Sequence, residues 1–252
     1  MFDPSLQFLK ETFGFLPKVA MSIDAFGHSS LTPYLFRALG HEAVVVHRMS
    51  EELYSGFKKD HQYFFTWEGD NNERIKVYRL NDYSLDERFN LARDAYYGTC
   101  FTMEDTCAEQ FLPIHLNNQM FNLNKEDKAK SPNQPDHPRL AIQTFGTDFA
   151  YQDTESSFRN AEAILKNLDR YLRNKLHYKF MTFTDIHKLH NQHHQFDDVL
   201  PGDMFVYDQA NKDAWSGYYG SKPDLKMHIK KVFNDFRATE ALMFAARMEY
   251  SK

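Results

Sequence analysis

Short β-branched or aromatic runs alternate with helical stretches over the first hundred residues, and this alternation restricts the possible folds more than any other feature of the chain. It is the pattern expected when parallel strands are joined by crossover helices. Residues 19–24 read as a buried strand ending at Asp24, residues 30–39 as the following helix, and residues 43–48 as the next strand, ending at Arg48. The expected fold is α/β, with either a mostly parallel sheet or a distorted β/α barrel-like domain. In both architectures ligands bind at the carboxyl edge of the strands, because the loops there are held by rigid strands. Asp24 and Arg48 stand where that edge would be.

Further along, residues 61–67 and 75–80 are strand candidates and residues 85–97 a helix. A polar loop over residues 125–138 carries three prolines and separates two halves. Residues 140–145 read as another strand, which delivers Asp148 through the small residues Gly146 and Thr147. Residues 154–172 have Phe158, Ala161, Leu165, Leu168 and Leu172 at three- and four-residue spacing, the stripe of an amphipathic helix that covers a sheet face. Residues 179–184 read as a last full strand. Residues 225–248 show helical spacing through Ile229, Val232, Phe236 and Phe244. Two units are expected: residues 1–222 as the α/β domain and residues 223–252 as the start of a helical bundle.

At 252 residues, the chain is long enough to bury about three quarters of its unfolded surface. Hydrophobic residues make up 42% and aromatics 15%, which excludes a disordered chain. The formal charge is −5, with no row of Lys and Arg to neutralise phosphates, so nucleic acid is not an expected partner. No apolar run approaches the roughly 20 residues needed to span a bilayer. Cys100 and Cys107 could close a small loop in an oxidising compartment, but two free thiols in a reducing one would look identical. No N-glycosylation sequon occurs.

Asp24 and Asp148 each have a plain structural reading, as side chains that accept backbone N–H bonds in a strand-to-helix turn. Taken together they admit a second one. Two carboxylates delivered by different strand ends to one edge are what a glycosidase requires, one to attack or orient and one to protonate the leaving oxygen. His187, His190, His193 and His194 have helical spacing that could gather imidazoles, but no acidic or thiol partner joins them before Asp197, and Lys188 and Gln192 suggest a solvated helix end. Trp67, with Glu68 and Asp70, could stack on a sugar or simply fill the core. The same two readings apply to Trp215, Tyr218 and Tyr219. No phosphate loop, nucleophile elbow or Cys-His pair is present.

The segment Ile23-Asp24-Ala25-Phe26-Gly27-His28-Ser29 resembles the I-D-P-F-G-H-S motif of the α-mannosidases of glycoside hydrolase family 38, with Phe13-Gly14 and Pro17 at family-like positions upstream. Gly146-Thr147-Asp148-Phe149 is similar to the family's G-x-D-F segment and Phe158-Arg159-Asn160 to the helix start that follows. Ala214-Trp215-Ser216-Gly217-Tyr218-Tyr219-Gly220-Ser221-Lys222-Pro223 resembles its W-S-G-Y-Y-x-S-R-P stretch. The likeness runs over nearly the whole chain and is weakest over residues 71–138. Ala25 stands where the family has proline.

The resemblance implies retaining hydrolysis of α-linked mannose in glycans. Asp24 matches the nucleophile, which also coordinates zinc, and Asp148 the acid/base. Phe26 would lie beside the sugar, and Arg48 matches an arginine that holds the nucleophile ionised by proximity of charge. Zinc would act as a template and Lewis acid on vicinal sugar hydroxyls. Cys100 and Cys107 would correspond to a small disulfide loop of lysosomal members. Of the family's zinc ligands only Asp24 is present, since the upstream H-x-D and downstream H-H-D segments do not occur here. The chain is therefore expected to be an internal fragment of the catalytic domain, inactive alone and missing flanking segments of its own protein. The alternative is a catalytically dead truncated relative that binds carbohydrate or a protein. The implied setting is a lysosome or secretory lumen, with the cytosol as the alternative.

Overall fold

The computed structural model describes residues 4–59, 64–80, 179–193, 198–209 and 213–250, with isolated residues between 142 and 162. The helices are α1 (Pro4–Phe13), α2 (Thr32–Ala38), α3 (Glu51–Lys59), α4 (Phe183–His193), α5 (Gly217–Gly220) and α6 (Pro223–Tyr250). The strands are β1 (Val19–Ser22), β2 (Ala43–Val46), β3 (Phe64–Glu68), β4 (Arg74–Arg79), β5 (Val199–Pro201) and the short pair β6 (Asp208–Gln209) and β7 (Asp213–Ala214). The main sheet has five strands in the order β1-β2-β4-β3-β5. Three of its four pairings are parallel, so the expected α/β class with a mostly parallel sheet is what the chain adopts.

The sequence of β2, Ala-Val-Val-Val, explains its central place. A strand covered on both faces needs apolar side chains in both directions, and all four residues here are fully buried. Val44 and Val46 point into one core with Phe65, Trp67, Ile75, Val77 and Phe57 of α3. Ala43 and Val45 point into the other with Tyr78, Leu80 and Ile186 of α4. Each fully buried valine contributes roughly 1.5 to 3 kcal/mol. The sheet is thus sandwiched, with α2 and α3 on one face and α4 on the other.

The β3–β4 pair is the antiparallel member of this mostly parallel sheet. Only five residues join the two strands, too few for a parallel return. Gly69 opens that hairpin against the start of α2: a side chain there would collide with Ser30 O and with the Pro33 ring, and Asp70 N donates to Ser30 O at 3.0 Å.

One strand expectation is overturned. Residues 179–182 form no strand, and α4 begins at Phe183. Asp185 N donates to Thr182 Oγ1 at 3.2 Å, while Thr182 Oγ1 donates to the Asp185 carboxylate at 2.7 Å. This reciprocal cap starts a helix and outweighs the β-propensity of Phe180, Phe183 and the threonines. The helix expected at residues 85–97, the loop at 125–138 and most of the strand at 140–145 lie outside the described residues. Thr154, Phe158 and Glu162 are helical, in line with the start of the predicted amphipathic helix. No helix among the described residues is long and apolar enough to cross a membrane.

Candidate active site

β1 and β2 run in register, with Ser22 beside Val46. Asp24 and Arg48 each lie two residues beyond the end of their strand, so the two side chains emerge together from the carboxyl edge. Arg48 Nε donates to Asp24 Oδ1 at 2.5 Å. The Asp24 side chain is half exposed and that of Arg48 is 17% exposed. An acceptor oxygen is therefore open to a ligand while the cation behind it is largely covered.

Aromatic rings cover that cation. The guanidinium carbon of Arg48 lies 4.8 Å from the ring centre of Tyr207, 5.2 Å from Trp215 and 5.5 Å from Phe26. Arg48 Nη1 also donates to the Tyr207 hydroxyl at 2.8 Å. Phe26 packs on Tyr218 at 4.5 Å and edge-on to Trp215 at 5.1 Å, and its backbone N–H donates to the Tyr219 hydroxyl at 3.0 Å. The Trp-Ser-Gly-Tyr-Tyr stretch thus closes onto the Asp24 loop from almost two hundred residues away. Tyr218 and Tyr219 stay largely exposed. The arrangement can present a carboxylate to a neutral polyol beside aromatic faces that suit sugar C–H groups.

Gly27 lets the loop turn. Its φ of +126° is open to glycine, and Phe205 occupies the space where a side chain would project. His28 follows, buried against the edge of Trp67 with ring centres 5.9 Å apart. Burial pushes the His28 imidazole down to about 4, and its Nε2 has no hydrogen-bond partner among the described residues.

Asp148, Cys100 and Cys107 lie outside the described residues. Of the predicted site residues, the structure brings together Asp24, Phe26 and Arg48. The sugar-stacking reading of Trp67 is overturned: the ring is fully buried in the core and its Nε1 donates to Gly202 O at 2.7 Å. Glu68 pairs instead with Arg74 at 2.5 Å, across the β3–β4 hairpin.

The histidine group is corrected as well. His187 and His190 are buried core residues, not part of a solvated helix end. Asn191 Nδ2 lies 3.0 Å from His187 Nε2, His187 Nδ1 lies 2.8 Å from the Tyr78 hydroxyl, and that hydroxyl lies 3.3 Å from His190 Nδ1. These three contacts fit two neutral imidazoles, with His187 protonated at Nδ1 and the tyrosine donating to His190 Nδ1. Burial holds His187 below the usual imidazole range, assisted by Lys76 and opposed by Glu42, whose carboxylate is 3.6 Å away. Burial also raises the Tyr78 hydroxyl well above the usual phenol range.

Among the described residues no three His, Cys, Asp or Glu side chains gather at metal-binding distance. Asp24 is the one implied zinc ligand there, and its Oδ1 is already paired with a guanidinium. The described residues therefore do not by themselves fit a zinc site, which takes three protein ligands or more.

Residues 203–208 were not singled out in the sequence, although they supply Tyr207. The available signal was Asp203-Met204-Phe205-Val206-Tyr207-Asp208, where two carboxylates bracket an aromatic pair at the end of a strand.

A half-exposed carboxylate at a parallel-strand edge, with a covered arginine and exposed aromatic rings, stands where α/β sheets bind their ligands. The sequence model of the "Glycosyl hydrolases family 38 N-terminal domain" matches residues 4–210, and the chain belongs to that family. It is 26% identical to alpha-mannosidase F of Dictyostelium discoideum, over 94% of this chain and 23% of that protein. It is 27% identical to the lysosomal alpha-mannosidase of Dictyostelium discoideum, over 89% and 22%, and 25% identical to that of Bos taurus, over 91% and 23%. The chain thus spans less than a quarter of the length of these relatives. A solved alpha-mannosidase from Enterococcus faecalis aligns with 77% of this chain and 19% of its own, at 12% identity and a TM-score of 0.48.

Proposed function

We propose that this chain carries the nucleophile side of a retaining α-mannosidase that hydrolyses α-linked mannose from glycans. The observation that supports this most is Asp24, half exposed at the carboxyl end of β1 and paired with Arg48 beneath the rings of Phe26, Tyr207 and Trp215. An Asp24 oxygen bonds to the anomeric carbon as the glycosidic bond breaks, and Asp148 gives its proton to the departing oxygen. Water then displaces Asp24 while Asp148 takes back a proton. Retention in this scheme needs the carboxylates about 5 to 5.5 Å apart. Arg48 pairs with Asp24 through Nε, and Phe26 lies along the sugar ring. Zinc is part of the proposal as the metal the family resemblance implies. Its remaining ligands must come from outside the described residues.

We read residues 1–222 as the α/β catalytic part and residues 223–252 as the start of a helical bundle. No residue of α6 is buried, and Leu225, Ile229, Val232, Phe236 and Phe244 are all exposed. The lysosomal relatives support a lysosomal or lumenal setting.

The test is hydrolysis of an aryl α-mannoside by the chain, alone and within the complete product of its gene. Asp24→Asn is expected to cut turnover by at least about 10³-fold with an unchanged circular dichroism spectrum. Turnover that survives Asp24→Asn overturns the assignment. Mannoside binding without turnover in the complete product favours the catalytically dead relative.

A further inference from the structure

Residues 203–208 run antiparallel to residues 26–30 of the loop after β1 and are fastened at both ends. Asp203 Oδ1 accepts from Ser30 N at 2.5 Å. Met204 exchanges backbone hydrogen bonds with His28 at 3.1 and 2.8 Å. Tyr207 N donates to Phe26 O at 3.1 Å, and Trp215 N donates to Tyr207 O at 3.0 Å. Asp208 Oδ1 accepts from Glu51 N at 2.6 Å, at the first turn of α3. The strap therefore ties the loop after β1, which carries Asp24, to the helix start that follows Arg48.

We propose that Tyr207 is the positioning residue of this site: it fixes Arg48, and through Arg48 holds Asp24 in one orientation for attack. This rests on the reading of Asp24 as nucleophile. The ion pair alone does not fix the orientation of the carboxylate, because Asp24 is half exposed and a single hydrogen bond from Arg48 Nε leaves the guanidinium plane free to turn about it. Tyr207 adds a second point of attachment. Arg48 Nε is on Asp24 and Nη1 on the Tyr207 hydroxyl, so two nitrogens of one rigid plane are held at once. The ring of Tyr207 also lies against the guanidinium, and its own backbone is hydrogen-bonded to the Asp24 loop and to Trp215. A lysine at position 48 has no such plane and could not transmit the constraint.

Tyr207→Phe tests this directly, since it removes the hydroxyl and keeps the ring and the backbone contacts. In the 252-residue chain, the Arg48 Nε–H resonance is expected as a resolved, slowly exchanging ¹⁵N-coupled signal. In Tyr207→Phe it should move toward the solvent-exposed arginines and exchange at least about tenfold faster, as expected when one of two anchors is lost. In the complete gene product, kcat for the aryl α-mannoside should fall about ten- to a hundredfold, the scale of a small misplacement of a reacting group, with KM within about threefold. Arg48→Lys should reproduce the kinetic effect. An unchanged Arg48 signal overturns the proposal, and so does a changed signal with unchanged kcat. If the wild-type protein has no turnover, the mannosidase reading fails by itself, and the Arg48 signal alone then decides whether Tyr207 holds the arginine.

Discussion

A methyl group on Gly27 would stand 2.5 Å from Cδ1 of Phe205, so the loop that carries Asp24 closes against the strap only because position 27 has no side chain. The φ of +126° adds a second reason, since an L-residue rarely adopts it. Gly27→Ala is therefore expected to cost about 3 kcal/mol through overpacking and backbone strain. A urea midpoint that stays at the wild-type value would show that the loop can open away from Phe205 without loss.

Acid should destabilise the fold through its buried imidazoles. His28 titrates at about 4 in the folded protein, and the His187 imidazole is also lowered by burial. The unfolded chain takes up protons near pH 6.5, before the folded one does. Stability is thus complete above that pH and declines as pH falls from 6.5 toward 4, with His28 contributing up to about 3 kcal/mol. Urea melts at pH 7, 5.5 and 4.5 measure this, and His28→Gln should flatten the profile. An equally steep profile in the variant would assign the dependence elsewhere.

Trp67 separates a core role from a sugar-binding one. Its ring is fully buried and its indole N–H bonds Gly202 O, just beyond the end of β5. Trp67→Phe leaves that carbonyl without its donor and opens a small cavity, a loss of about 2 to 3 kcal/mol. Calorimetry with mannose should show the same affinity in wild type and variant at a temperature where both are folded. A weakened affinity with unchanged stability would return Trp67 to the site.

Thr182→Ala removes the side-chain cap of α4 and should cost about 1 kcal/mol, read in thermal melts by circular dichroism. Because α4 carries His187 and His190 against Tyr78, the amide protection of residues around Tyr78 should fall with it. A destabilisation that leaves this protection intact would mean that the histidines hold the helix without its cap.

Local signals along the chain located much of the fold. β2 was legible because its valines are contiguous, and β1 because a carboxylate ends it. The register that sets Asp24 beside Arg48 was not legible, since pairing across the sheet depends on both strands at once. The antiparallel β3–β4 pairing follows from the short stretch between the two strand candidates, which leaves no room for a crossover. The strand expected at residues 179–184 followed β-propensity, while Thr182 and Asp185, three residues apart, carried the stronger helix-start signal.

The family resemblance places Phe26 beside the sugar, and the structure packs it against Trp215 and Tyr218. Tyr207 was missed because its role lies in a contact with Arg48, 159 residues earlier in the chain. Hydrophobic periodicity and the charges at strand ends are written in neighbouring residues, so the sequence by itself determined the α/β class, the central strand and the acidic edge. Which distant side chains meet at that edge depends on strand order and on how the closing strap is anchored, and these are settled only when the whole sheet packs. Tertiary structure alone therefore decided that Trp67, His187 and His190 belong to the core, and that Tyr207 holds the arginine beside Asp24.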